Sequence, residues 1–373
     1  MSLHGVRTIA VLELRQRLRT SRWPVVIAIW FLVIGAVAGL TWWAVSSQPG
    51  GPAPTLSTDR GTTLYDVVLF FVLGLGMLVV PSLTATTING DRERGVLATM
   101  QTTLLTSADI VVGKLVAAWT ISLAFLLAAS PFMVWAWVAG GVEVGRMLLA
   151  VTVLAFVLAV VCSLGLMFST LTARTISSAV LTYLAVAALT FGTVIAFLLS
   201  IPIMSTQQSV RVKVVPDSWY QEHQPAAGEK IAIQPTPADC VYVNREQTIL
   251  HTERTWWLLA LNPFVVVADA APSRKQMNYI GFEPLQMISD GARTARMGNT
   301  ADSVNECWPE LDPNRGADYG AQQQVERDRL NRVHAVWPYG FVFLGVLGAA
   351  STWVAVRRLR TPIRKLPRGT RIA

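Results

Sequence analysis

Long apolar runs separated by short polar stretches organise this chain. The runs fall near 24–45, 66–88, 115–139, 147–171, 176–201 and 336–356. Each has about the 20 residues a helix needs to cross a bilayer core, so the pattern predicts six membrane-spanning helices. Trp23 and the Trp42–Trp43 pair bracket the first run, and Trp337 and Trp353 the last, as aromatic-belt anchors would. Pro24 suits a first helical turn. A further apolar segment, Thr255–Ala270, is short for a span and is interrupted by Asn262-Pro263. It predicts a buried or interfacial helix of the external domain between the fifth and sixth runs.

The polar segments carry their own periodicities. In residues 1–23, Leu3, Val6, Ala10, Leu14 and Leu18 recur at helical spacing opposite Arg15, Arg19 and Arg22, and Glu13 sits one turn before Arg17. This predicts a basic amphipathic helix on the membrane surface, with a disordered basic tail as the alternative. The run that follows is too long and too rich in tryptophan to be the core of a cleavable signal. Between the fifth and sixth runs, residues 202–335 form a polar insert. Val210, Val212 and Val214 alternate with Arg211 and Lys213, a strand signal. Ile231 with Ile233, and Val241 with Val243, suggest two more strands. Residues 284–297 and 321–335 read as helical or loop-like.

Composition agrees with a membrane location. Of the 373 residues 52% are apolar and only 14% charged, against about 25% charged in soluble domains. The net charge of +8 is unevenly spread. Residues 1–23 hold five Arg and one Glu, residues 357–373 hold seven Lys/Arg and no acid, and residues 203–335 hold 13 bases and 16 acids. Positive charge therefore flanks the apolar runs, the pattern of cytosolic membrane flanks, and not a nucleic-acid surface. Six spans then place both termini, 89–114 and 172–175 in the cytosol, and 46–65, 140–146 and 203–335 outside, in a multi-pass protein of the plasma membrane. The fold class expected is an α-helical integral membrane protein: an N-terminal amphipathic helix (1–23), five spans (24–201), a small α/β extracytoplasmic domain (202–335), a sixth span (336–356) and a basic tail (357–373). Cys240 and Cys307 share the external segment, where an oxidising compartment favours a disulfide closing a loop of about 67 residues; two free thiols are the alternative.

Chemistry is sparse. There is no G-x-x-x-x-G-K-[ST] phosphate loop, no H-E-x-x-H and no G-x-S-x-G, and neither His223 nor His251 has metal-ligand spacing to the cysteines. No catalytic residue, metal or resident cofactor is expected. Gly35 and Gly39 form a small-x3-small pair, and Gly74-Leu75-Gly76 lies mid-span; both suit helix packing. None of the six runs contains an internal Lys, Arg, His, Asp or Glu, and only Asp66 touches an end. Ion-coupled transporters keep such groups at mid-membrane. Any work done by this chain must therefore enter from outside the bilayer.

Residues 89–114 are the candidate entry point. Asp91, Arg92, Glu93 and Arg94 lie at the end of the second span, Gly95 breaks the helix, and Val96-Leu97 through Leu104-Leu105 predict a short surface helix. Thr106-Ser107-Ala108-Asp109 can cap the next helix. A solvated loop resting on headgroups is the bland alternative. The order Glu93-Arg94-Gly95-Val96-Leu97, Leu104-Leu105, Thr106-Ser107 and Gly113-Lys114 resembles the coupling-helix region of type-2 ABC exporter permeases, and the elbow-like N-terminal helix and six-span layout extend the resemblance over about two-thirds of the chain. The 133-residue insert departs from the family, where short external re-entrant helices are usual. The resemblance implies a non-enzymatic permease subunit that pairs with a second permease copy, identical or homologous, and with two cytosolic ABC ATPase subunits. ATP and Mg would then sit on those partners. It places Asp91, Arg92, Glu93, Arg94, Gly95, Leu97, Leu104 and Leu105 at the ATPase contact, and the uncharged spans suit an amphipathic, drug-like or lipid-like cargo. A membrane-anchored receptor or assembly scaffold, binding its ligand through the insert, is the rival reading.

Overall fold

The computed structural model describes residues 2–19, 22–47, 60–95, 105–223, 236–271, 282–298, 303–305, 325 and 327–360. Its helices are α1 (Leu3–Leu18), α2 (Arg22–Ser46), α3 (Arg60–Thr84), α4 (Thr87–Glu93), α5 (Ser107–Val138), α6 (Val144–Leu171), α7 (Thr175–Ile203, with a π turn at Ala188–Gly192), α8 (Asp217–Glu222), α9 (Trp257–Ala260), α10 (Pro263–Ala270), α11 (Pro284–Met297) and α12 (Trp337–Leu359). Strands β1 (Ser205–Val214), β2 (Val241–Leu250) and β3 (Ser303–Asn305) form one sheet in the order β2-β1-β3, with β1 antiparallel to β2 and parallel to β3. Six helices are long and apolar enough to cross a membrane: α2, the α3–α4 unit, α5, α6, α7 and α12. All six expected runs are found among them.

α3 is the centre of the bundle. Leu64, Tyr65, Val68, Leu69, Val72 and Leu73 are almost fully enclosed. Between apolar helices in lipid, close backbone approach replaces the hydrophobic drive of water. Gly76 of α3 faces Leu158 of α6, and Gly165 of α6 leaves room for Thr84; a Cβ at 165 would lie 2.0 Å from the Thr84 hydroxyl. Isolated polar groups on the spans are satisfied sideways. Tyr65 donates to the Met147 carbonyl at 3.1 Å, Trp119 to Ala155 at 2.8 Å and Tyr183 to Leu78 at 2.9 Å.

Three details differ from the sequence-based expectation. The second run is not one straight helix: the chain breaks at Ala85–Thr86, just after Pro81 removes a backbone donor, and resumes as α4. The bracketing tryptophans are partly internal. Trp23 packs on Phe125 and Trp42 on Trp135, with ring centroids 5.9 and 5.3 Å apart, while Trp43 and Trp353 stay exposed. Gly35 packs within the chain against Phe132, whereas Gly39 faces open space.

The insert divides in two. Its sheet follows directly from α7, and the alternating valines behave as expected, with Val210 and Val212 buried on one face. Val241 and Val243 start β2. Residues 284–297 are the helix α11, and 327–332 are helical; Ile231 and Ile233 lie outside the described residues. The segment 257–270, expected as a helix of the external domain, instead joins the bundle core itself. It folds as two short helices, α9 and α10, broken at Asn262, and Val266, Val267, Ala268 and Ala270 share the core with the spans. The Phe264 ring stacks obliquely on Phe70 and approaches Gly74, at the midpoint of α3. Asn262 donates its side-chain amide to the Thr190 carbonyl, 2.6 Å away in the π turn of α7, and to the Thr193 hydroxyl at 3.0 Å. The α9–α10 turn is thus re-entrant: it reaches halfway down two spans and goes back without crossing.

Candidate functional site

At the end of the bundle opposite the insert, α1 lies flush on α5. Gly113 makes this possible, since a Cβ there would meet Ile9 at 2.7 Å and the Val6 carbonyl at 3.0 Å. The buried face of α1 is Gly5, Ile9, Ala10 and Glu13, spaced one turn apart. The expected apolar stripe is therefore only partly a lipid face: Ala10 is buried in protein, and Leu3 and Leu18 are exposed. The starts of the two helices are tied together. Thr106 and Asp109 form a reciprocal capping box at the N-terminus of α5, as the sequence suggested, and the other Asp109 oxygen accepts the Ser2 N–H at 2.8 Å.

One turn further along α5, Lys114 is wholly enclosed, with no exposed side-chain surface. Its ammonium donates to Glu13 of α1 and, at 2.5 Å, to Asp91 of α4. Glu13 also faces Arg17 at 4.0 Å, and Arg17 donates to the Leu83 carbonyl at the end of α3 at 3.0 Å. Burial pulls the Arg17 guanidinium below its ordinary pKa, against the opposing pull of Glu13 and Asp91. Asp91 completes the set with Arg94 at 3.4 Å. Two acids and two bases, Glu13, Asp91, Lys114 and Arg17, thus form a joint from α1, α4 and α5 whose charges cancel.

α4 is braced from the other side by α6. The Ser169 hydroxyl accepts the N–H groups of Ile88 and Asn89 at 3.0 and 3.1 Å, serving donors that Thr86 leaves uncapped. Asn89 donates to the Thr172 hydroxyl, and Arg92 to the Thr172 carbonyl. Gly95, at φ +71°, ends the segment in the left-handed conformation that suits glycine.

No protein-family model matches this chain, and no curated protein does.

The predicted contact residues therefore separate. Asp91 points inward to Lys114 and is 8% exposed, and Arg92 is held by Thr172. Glu93 and Arg94 face outward. Leu105 is half-buried beside the small core of Ile88, Ile110, Val111 and Leu166. Leu97 and Leu104, and the surface helix expected between them, lie outside the described residues. The sequence pattern marks Lys114 only as the flank of a span and Glu13 only as half of a surface pair with Arg17. The signal was present but weak: Glu13 is the sole acid of the N-terminal helix, and it continues the one-turn series from Gly5 and Ile9.

Cys240 is disulfide-bonded, while Cys162 is a free thiol buried beside Ser122. Cys307, the expected partner of Cys240, lies outside the described residues. Among the described residues no cluster of three His, Cys, Asp or Glu side chains is placed to hold a metal.

Proposed function

We propose that this chain is the permease subunit of an ATP-driven exporter of the type-2 ABC class, with both termini cytosolic in the plasma membrane. Separate ATPase subunits would bind ATP and Mg and dock at the end of the bundle that carries α1 and α4. The observation that carries this reading is the joint at Lys114. It anchors the charged segment 91–94 to the starts and ends of three long helices, which is what a site that receives force requires and a passive connector does not. The spans offer no ionisable group in mid-run to drive transport by themselves. The re-entrant α9–α10 pair supports the same reading, because it supplies the short re-entrant helices that the large insert had obscured. A translocation path between two permease copies, lined by apolar and Ser/Thr side chains, suits an amphipathic or lipid-like cargo.

The rival receptor reading is favoured by one observation, the β1–β2 ribbon with its outward Arg211, Lys213 and Tyr242. Co-purification separates the two. The permease should recover an ATPase and raise its ATP turnover, and reversing the outward charge of Glu93 with Glu93→Lys should cut that association tenfold or more while leaving the fold intact. Wild-type association in the charge-reversed protein sinks the docking assignment.

A further inference from the structure

We infer that Lys114 is the positioning residue of an electrostatic lock that makes α1, α4 and the start of α5 a single moving body. The inference depends on the permease reading only for the source of the motion; the lock itself is a matter of geometry. The three elements come from distant parts of the chain, and among the described residues the lysine is the side chain bonded to carboxylates of both others. An ammonium suits this position because its donors diverge from one point and can serve two acids on different elements.

The lock has a specific consequence. α1 has no covalent tie to α4 except through the whole of α2 and α3. Without Lys114, Glu13 and Asp91 would be two enclosed carboxylates turned toward one another, with Arg17 4.0 Å from the first and the exposed Arg94 3.4 Å from the second. Like charges in that setting separate the elements that bear them. With the lysine present, displacement of α4 must carry α1 along, so a push delivered to residues 91–95 is shared between the N-terminal helix and the second and third spans.

Hydrogen exchange in the full-length chain tests this without knowledge of the cargo. Removing Lys114 alone leaves unpaired carboxylates and invites misfolding, so the informative protein combines Lys114→Met with Glu13→Gln and Asp91→Asn, neutral and similar in shape. Without nucleotide, amides of 3–18 in this variant should exchange at least tenfold faster than wild type while those of 150–168 are unchanged; Lys114→Arg alone should stay near wild type. In complex with the ATPase, adding ATP and vanadate should alter exchange in 3–18 and 87–95 together in wild type, and in 87–95 alone in the neutral variant. Wild-type protection of 3–18 in the neutral variant, or a wild-type response of 3–18 to ATP and vanadate, overturns the proposal. A wild-type chain that recruits no ATPase refutes the permease reading instead, and the nucleotide-free comparison still decides the lock.

Discussion

The sharpest energetic prediction concerns Asp269, at the insert end. Its carboxylate is 2% exposed and accepts four hydrogen bonds. One oxygen takes Arg293 Nε at 2.6 Å and the Ser289 hydroxyl at 3.0 Å; the other takes the N–H groups of Val336 and Trp337, at 2.5 and 2.9 Å, where α12 begins. Removing one partner of a buried ion pair costs about 3–5 kcal/mol. Each orphaned buried N–H adds about 1–3 kcal/mol. Asp269→Ala is thus expected to cost more than about 5 kcal/mol, a large part of the 5–15 kcal/mol typical of whole proteins. Asp269→Asn is more informative. Its oxygen can keep the two N–H groups of α12, but its amide then meets the Arg293 donor and the guanidinium loses its counter-charge, so the loss should be about 3–5 kcal/mol. Arg293→Gln gives that amide an acceptor. The double variant should therefore be less damaged than the sum of the single ones by at least about 1 kcal/mol. Reversible unfolding in mixed micelles measures all four corners of the cycle. Additivity within about 0.5 kcal/mol would mean that the two side chains do not act on each other, and the structural account of this latch would fail.

Two further changes test other joints. Asn262→Leu removes the N-terminal cap of α10, which the side chain makes to the Phe264 N–H at 2.8 Å, and the bonds to the π turn of α7. It should cost about 2 kcal/mol and speed exchange across 257–270, and unchanged exchange there would refute the re-entrant anchor. Ser169→Ala leaves the Ile88 and Asn89 N–H groups without their acceptor and should cost about 1–2 kcal/mol, read as faster exchange confined to 87–93; unaltered protection of that helix would show that Ser169 does not brace it.

What could be read from the sequence was what local patterning determines. The six spans follow from apolar runs longer than a bilayer needs, β1 from alternating valines, and the start of α5 from the spacing of Thr106 and Asp109. The break at Ala85–Thr86 was hidden because the apolar run continues through it. The position of α9 and α10 was hidden for a different reason. A helix buried among spans and one resting on a membrane surface share the same short apolar pattern, and the Asn262–Thr190 bond that decides between them joins residues 72 positions apart. The Lys114 joint is the extreme case, since it pairs residues 101 and 23 positions apart, and pairings of that kind leave no periodicity to read.

The same long-range pairings link the two ends of the molecule through one helix. Near the start of α3, Asp66 accepts the Leu285 and Gln286 N–H groups, both at 3.0 Å, and so holds the N-terminus of α11. Near its other end the Leu83 carbonyl accepts Arg17 of the charged joint. Seventeen residues separate Asp66 from Leu83, about 26 Å of helix at 1.5 Å rise per residue. Over that length α3 is continuous apart from the backbone donor missing at Pro81, and it is enclosed by α2, α5 and α6. The break just beyond Leu83 would act as a free hinge if it were unsupported. It is supported: α6 takes Thr84 into the space at Gly165 and caps the far side with Ser169. A displacement of α4 would therefore be delivered to α3 and α6 together, and both helices pack against the layer of α10, α11 and α12, where Asp269 ties those three helices to one another. That arrangement gives an input at residues 91–95 a continuous mechanical path to the re-entrant turn, with the Lys114 joint at one end and the Asp269 latch at the other.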